Sequence, residues 1–204
     1  KLCIYRNYAQ RLYRLYKICL CFNKIKGRDN WLSADACYHI NQLLRRNNIL
    51  HTLILKGCRI GAAGVAKLHE GLSENDSLEI LDLSGCNIRK EGFANVTDAV
   101  CENWRLKHLI LSENYLDESC SEDLQRLISD SQNLRQLDLS WNSLYTAAAW
   151  KMLVKGLEKS ERVINLDLSW NSLDHECVPY LGQILSGSLP VEKLNLAGKR
   201  KKGV

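Results

Sequence analysis

Three aspartates, Asp82, Asp138 and Asp167, stand at equivalent places in repeated segments of this 204-residue chain. Carboxylates held near one another can share proton-transfer work, one as acid and one as base. Ile110 takes the equivalent place between Asp82 and Asp138 and breaks the series. No His or Lys keeps a constant position beside them, although His108 falls near Asp138. His39, His51, His69 and His175 share no pattern that suggests ligation. No catalytic residue is therefore expected, and the three carboxylates read first as solvated groups on an exposed strand face.

Nine cysteines invite a metal or disulfide reading. The number is odd, and Cys19 and Cys21 form only a Cys-x-Cys pair with no second ligand pair near them. A structural zinc site needs four ligands in tetrahedral reach. Free thiols in a reducing compartment are the expectation, with no metal and no cofactor. Asn75-Asp76-Ser77 and Asn95-Val96-Thr97 match the glycosylation sequon, a pattern common by chance and unused in such a compartment.

Trp141 and Trp170 carry the sharpest signal. Each lies three residues after an aspartate and directly before an asparagine, in the segments DLSWNSL. Two exposed indoles beside carboxylates attract a protein surface that presents Arg or Lys. The candidate partner-binding residues are Trp141, Trp170, Asp138, Asp167, Glu113 and Asp82. The opposing reading, that both indoles fold down onto neighbouring segments, stays open here. Trp31, Trp104 and Trp150 read as packing or anchoring residues.

The elements that position these residues come from a repeat. LHTLILKGCRI, LEILDLSGCNI, LKHLILSENYL, LRQLDLSWNSL, VINLDLSWNSL and VEKLNLAGK begin at residues 50, 78, 106, 134, 163 and 191. Their spacings are 28 residues with a single 29, and an earlier copy, LYKICLCFNKI, begins at residue 15. Its longer spacing is placed in a polar insertion at residues 27–33. The L-x-L core alternates buried and outward residues, as a strand with one buried face requires. Leu53/Leu55, Leu81/Leu83, Leu109/Leu111, Leu137/Leu139 and Leu166/Leu168 are expected to point inward. Asn23, Cys58, Cys86, Asn114, Asn142 and Asn171 follow the strands, where a side chain can bond exposed backbone; Lys199 breaks that column. Ala36, Gly64, Gly92, Cys120, Ala148 and Cys177 open the second half of each unit. Apolar residues then recur four apart, as in Leu68/Leu72, Val96/Val100, Leu124/Ile128 and Leu181/Leu185, which predicts helices. In the unit from Leu134 the pair is read as Met152 followed by Leu157.

These segments fit L-x-x-L-x-L-x-x-N/C-x-L, and the chain resembles the leucine-rich repeat proteins, in particular the ribonuclease-inhibitor-like subfamily with its 28-residue units. The resemblance implies an α/β solenoid, a horseshoe with parallel strands on the concave face and helices on the convex face. Residues 1–14 are expected to form an N-terminal helix or the helix of a preceding repeat. Residues 15–199 are expected to form an array of about seven units with the last incomplete, and residues 200–204 a basic tail. Because no amphipathic helix follows the last segment, either a continuing chain or a partner is expected to cover that end.

The net charge of +5 hides a division. Residues 1–60 carry twelve Lys/Arg against two Asp/Glu, residues 61–198 twelve against twenty-one, and residues 199–202 are all basic. On a solenoid these become successive zones along the stack, able to orient a partner or let an isolated fragment associate head to tail. An acidic partner suits the basic N-terminal end. No apolar run reaches about 18 residues, so no membrane span is expected. No nucleic-acid motif is present, and nucleic acid is not expected as a partner.

The sequence thus points to a non-enzymatic protein–protein interaction scaffold whose concave face docks a protein, in a cytoplasmic setting that includes the cytoskeleton or cilium. Three alternatives share the repeat. One is a GTPase-activating domain like that of the Ran GTPase-activating protein, whose site no residue set here matches. Another is an innate-immune sensor array like that of NOD-like receptors, which would need an upstream nucleotide-binding domain. The third is an architectural part of a ciliary or centrosomal lattice.

Overall fold

The computed structural model describes residues 17–19 and 32–198. The expectations for residues 1–14, for most of the insertion, for Trp31, Asn23 and Lys199, and for residues 200–204 lie outside the described residues. In chain order the elements are β1 (Lys17–Cys19), α1 (Ala34–Arg46), β2 (Thr52–Ile54), α2 (Gly61–Glu74), β3 (Ile80–Asp82), α3 (Arg89–Glu102), β4 (His108–Ile110), α4 (Ser121–Asp130), β5 (Gln136–Asp138), α5 (Ala147–Lys159), β6 (Asn165–Asp167), α6 (Val178–Leu185) and β7 (Lys193–Asn195). Short 3-10 turns, Glu118–Cys120 and His175–Cys177, lead into α4 and α6.

The strands form one parallel sheet in sequence order, β1 to β7. Each pairs with the next in the register the repeat predicts: Ile18 opposite Leu53, Leu53 opposite Leu81, Leu81 opposite Leu109, Leu109 opposite Leu137, Leu137 opposite Leu166, and Leu166 opposite Leu194. The alternating leucines from Leu53 to Leu168 are all buried between the sheet and the helix layer. Each such side chain contributes roughly 1.5–3 kcal/mol by leaving water. No unit closes its own core, because every inward leucine packs against the units on either side. This is an α/β leucine-rich repeat solenoid.

Two hydrogen-bonded ladders tie the units together. Along the first, Asn142 donates through Nδ2 to the Leu111 carbonyl one unit back (3.0 Å), and its Oδ1 accepts the N–H groups of Asn114 and Leu116 (2.9 and 3.0 Å). Asn114 and Asn171 repeat the pattern. Cys86 fills the same place with a thiol, which points to the Leu55 carbonyl at 3.1 Å and is faced by the backbone N–H groups of Cys58 and Ile60. The second ladder lies where helices end. Asn75 Nδ2 donates to the carbonyls of Leu44 and Asn47, both at 2.8 Å, while its Oδ1 accepts from Ser77 and Leu78. Asn103 does the same one unit on. Asn75 is therefore a buried structural amide, and its sequon marks a ladder position.

The thiols are structural as well. Burial pushes the Cys37 and Cys101 thiols up to about 11 and the Cys86 thiol up to about 12, which keeps them protonated and unreactive.

Four expectations need correction. In α6 Ile184, not Leu185, faces the core, and Leu185 is 68% exposed. In the 29-residue unit Ala149, not Ala148, is the buried small residue, and Leu153, not Met152, pairs with Leu157. The extra residue lies between Leu144 and Ala149, in the loop where Thr146 caps α5 by accepting the Ala149 N–H, so everything after it shifts by one. Trp104 is not a packing residue: it is 54% exposed, with the Arg105 guanidinium 5.3 Å from its ring centre. Trp150 does pack, buried in α5 with Nε1 donating to the Leu144 carbonyl at 2.9 Å.

Candidate functional site

The site is built where the chain leaves each strand. The aspartate four places before the ladder Asn or Cys makes the turn: Asp82 Oδ1 accepts the Ser84 N–H at 2.9 Å, Asp138 Oδ1 that of Ser140 at 2.8 Å, and Asp167 Oδ1 that of Ser169 at 2.9 Å. This side-chain turn is the ordinary way an Asp or Asn bends the backbone two residues on. Asn195 does the same for the Ala197 N–H, and its Nδ2 donates to Asp167 Oδ2 at 2.8 Å. The aspartate column is thus a turn device. Asp138 and Asp167 are direct cross-strand neighbours, whereas Ile110 separates Asp82 from them. Burial holds the Asp138 carboxyl above its ordinary range, against the hydrogen bonds from Ser140, and the nearby Asp167 and Asp82 charges push the same way.

The turn delivers the residue three places after the aspartate into the left-handed region. Gly57, Gly85, Glu113, Trp141, Trp170 and Gly198 form that column, with φ of 75°, 63°, 58°, 56°, 60° and 90°. Their N–H groups reach across to the following unit: Trp141 to the Ser169 carbonyl and Trp170 to the Ala197 carbonyl, both at 2.9 Å. Glycine takes such a φ freely, and a side chain there costs about 1–2 kcal/mol. Two tryptophans occupy glycine's place.

Their rings lie parallel, with centres 4.3 Å apart and planes 11° from each other. That matches the strand spacing of about 4.8 Å, so the sheet itself sets the stack. Trp141 remains 39% exposed and Trp170 36%. The indoles neither sink into the core nor stand alone; they form an aromatic edge open to solvent. On the far side Trp170 lies against the backbone of Gly198, where any Cβ would fall into the ring. Glu113 extends the column on the other side and is exposed.

Beside this edge the outward residues Gln136, Asp138, Asn165, Asp167, Lys193 and Asn195 line an open concavity of about 710 Å³ on the sheet face. The strand-exit loops add exposed Tyr115, Tyr145 and Leu173, and a groove of about 720 Å³ presents Asp117, Glu118 and Glu122 next to Tyr145. These loop residues were not singled out from the sequence, since they vary between units and carry no repeat signal.

At the opposite, strand-entry edge, Glu79 gathers two cations and a histidine: Lys107 Nζ and His51 Nε2 at 2.9 Å and Arg105 at 3.4 Å. The hydrogen bond from Lys107, assisted by His51, holds its carboxyl below the ordinary range despite burial. His108 belongs to this group and not to Asp138: burial lowers its pKa, and the charges acting on it are those of Glu79, Lys107 and His51. Among the described residues no group of three or more His, Cys, Asp or Glu is placed to hold a metal ion, and no helix is long and apolar enough to cross a membrane.

With this geometry in place, the comparisons agree on the class. A Leucine Rich repeat family model matches residues 46–68, 74–93 and 130–144. Leucine-rich repeats are thus matched over these three segments, in keeping with the solenoid fold. The tropomodulin C-terminal domain of Caenorhabditis elegans superposes with a TM-score of 0.57 at 15% identity, over 75% of this chain and 93% of that one. Leiomodin-1 actin-binding site 2 superposes with a TM-score of 0.52 at 13% identity, over 91% of this chain and 89% of that one. At such identities the likeness is one of fold. No curated protein matches the sequence.

Proposed function

We propose that this chain is a non-enzymatic protein-interaction scaffold, and that the strand-exit edge at Trp141 and Trp170, with the adjoining concave face, docks a protein partner. One observation carries the reading: two large aromatics are held stacked and solvent-open at left-handed positions that three other units fill with glycine. Backbone strain of this kind persists where something is gained from it. Asp138, Asp167 and Glu113 give the surroundings negative charge, so the fitting partner surface is basic. Asp82, cut off by Ile110, contributes through its turn.

The test uses glycine in place of the indoles, because glycine suits the same φ. Trp141→Gly with Trp170→Gly is expected to leave the fold intact and weaken partner binding by more than about 2 kcal/mol, roughly thirtyfold. Unchanged affinity would remove these residues from the site.

A cytoskeletal setting is the second reading. It is favoured by the fold likeness to the tropomodulin C-terminal domain and to leiomodin-1 actin-binding site 2. Co-sedimentation with actin filaments checks it directly, and a chain that stays in the supernatant speaks against it. The 28-residue period keeps the ribonuclease-inhibitor-like subfamily as the finer classification.

A further inference from the structure

We propose that the strand-exit edge is a self-recognition surface, on which two copies of this chain pair about a two-fold axis passing between β3 and β4, the basic half of each edge lying on the acidic half of the other. This rests on the reading of that edge as a docking surface and names its partner as a second copy.

Three observations carry it. The first is the layout of charge along the edge. The loops that follow β2 and β3, residues 55–61 and 83–90, hold Lys56, Arg59, Arg89 and Lys90 and no Asp or Glu. The loops that follow β4, β5 and β6, residues 111–119, 139–147 and 168–177, hold Glu113, Asp117, Glu118, Asp174 and Glu176 and no Lys or Arg. All of these side chains except Asp174 are exposed. A uniformly basic partner would meet repulsion from the first half. An edge divided at one point is instead complementary to itself after half a turn. The second is that charge on both halves is unspent. Lys56, Lys90, Glu113 and Glu118 form no ion pair among the described residues, and Lys90 lines a groove with Asp117 and Glu118 while pairing with neither. The third is apolar surface in the same place. Exposed ion pairs alone hold a complex weakly, and here Tyr115 at 64% exposure and Tyr145 at 47% stand among the charges.

A two-fold contact requires that residue i of one copy meet j of the other and that j meet i. With the axis between β3 and β4, the loop after β3 faces the loop after β4 of the second copy, and the loop after β2 faces the loop after β5. Arg89 and Lys90 then meet Glu113, Asp117 and Glu118, while Lys56 and Arg59 meet Tyr145 and the solvent-open margin of Trp141. Every contact is made twice. Tyr115, with the Arg89 guanidinium of its own chain 5.7 Å from its ring centre, falls beside the axis.

The experiment follows the mass of the full chain in solution by analytical ultracentrifugation across a concentration series. Two charge-reversed variants are compared, Lys56→Glu with Lys90→Glu, and Glu113→Lys with Glu118→Lys, each checked for native circular dichroism. The native chain is expected to form a reversible dimer that weakens toward roughly 1 M salt, where the screening length falls to about 3 Å. Each variant alone is expected to dimerise at least tenfold more weakly, and an equimolar mixture of the two is expected to restore a dimer containing one of each. A native chain that stays monomeric overturns the proposal. So do variants that dimerise like the native chain, a mixture that stays monomeric, or assembly that continues past two copies. These failures leave the docking edge standing if the double tryptophan-to-glycine variant still loses an external partner; undiminished binding by that variant is the separate failure of the docking reading.

Discussion

A tryptophan at φ near +60° is disfavoured by about 1–2 kcal/mol, and here two stand side by side. Their stack recovers part of this, since offset aromatic pairs contribute about 0.5–1.5 kcal/mol beyond burial. Gly198 supports the stack by leaving room for the ring. Gly198→Ala is accordingly expected to displace Trp170 and abolish the exciton-coupled circular dichroism of the indole pair, with the helical signal retained; an unchanged couplet would show that the ring does not need that space. Asp138 supplies a second residue-scale outcome. Its carboxyl is raised by burial, so the fold favours the protonated form. The resulting stabilisation is full below the ordinary aspartate range and is lost as pH rises through the raised value. Asp138→Asn keeps the turn, as Asn195 does in the same column. Its urea midpoint is expected to exceed that of the native chain at pH 7, with the gap closing toward pH 3. The Asp and Trp columns were legible in the sequence because they recur at fixed spacing. Their chemistry was not, because the spacing does not reveal that Asp138 spends one oxygen on the Ser140 N–H.

Between elements, the two amide ladders decide how firmly one unit grips the next. Asn142 makes three donor and two acceptor contacts within buried surroundings. Asn142→Ala strands those backbone groups and is expected to cost about 2–3 kcal/mol in urea unfolding. The second ladder runs through Asn47, Asn75 and Asn103 and then reaches Ser131, whose buried hydroxyl has no hydrogen-bond partner. Asparagine there reaches the carbonyls one unit back. Ser131→Asn is expected to raise stability by about 1 kcal/mol, seen as a higher urea midpoint; a fall would mean the site cannot take the larger side chain. The first ladder was readable because it lies inside the repeat signature. The second was present at the same 28-residue period and overlooked, because its asparagines sit in segments that otherwise look like variable loop. The shift of one residue in α5 was hidden for a related reason: Ala147, Ala148 and Ala149 are interchangeable as letters, and only the cap at Thr146 fixes which one faces the core.

For the whole molecule, strand order, register and the inward leucines followed from the repeat alone, since each unit makes the same contacts with its neighbours. The functional surface did not, because it depends on what the repeat leaves free. The charge division along the sequence is only part of the pattern: Glu79 draws Lys107, Arg105 and His51 together at the strand-entry edge, while Glu113, Asp117 and Glu118 face outward from the strand-exit loops. On the proposed docking reading, these charges orient a partner across the strands as well as along the stack. The most direct test places a photocrosslinking residue at one of two exposed positions in the full chain, Gln136 on the sheet face or Lys151 on α5, and maps the partner captured at each. Capture through Gln136 that disappears in the Trp141→Gly, Trp170→Gly background, with none through Lys151, is the predicted result. Capture through Lys151 that is indifferent to the two tryptophans would contradict it.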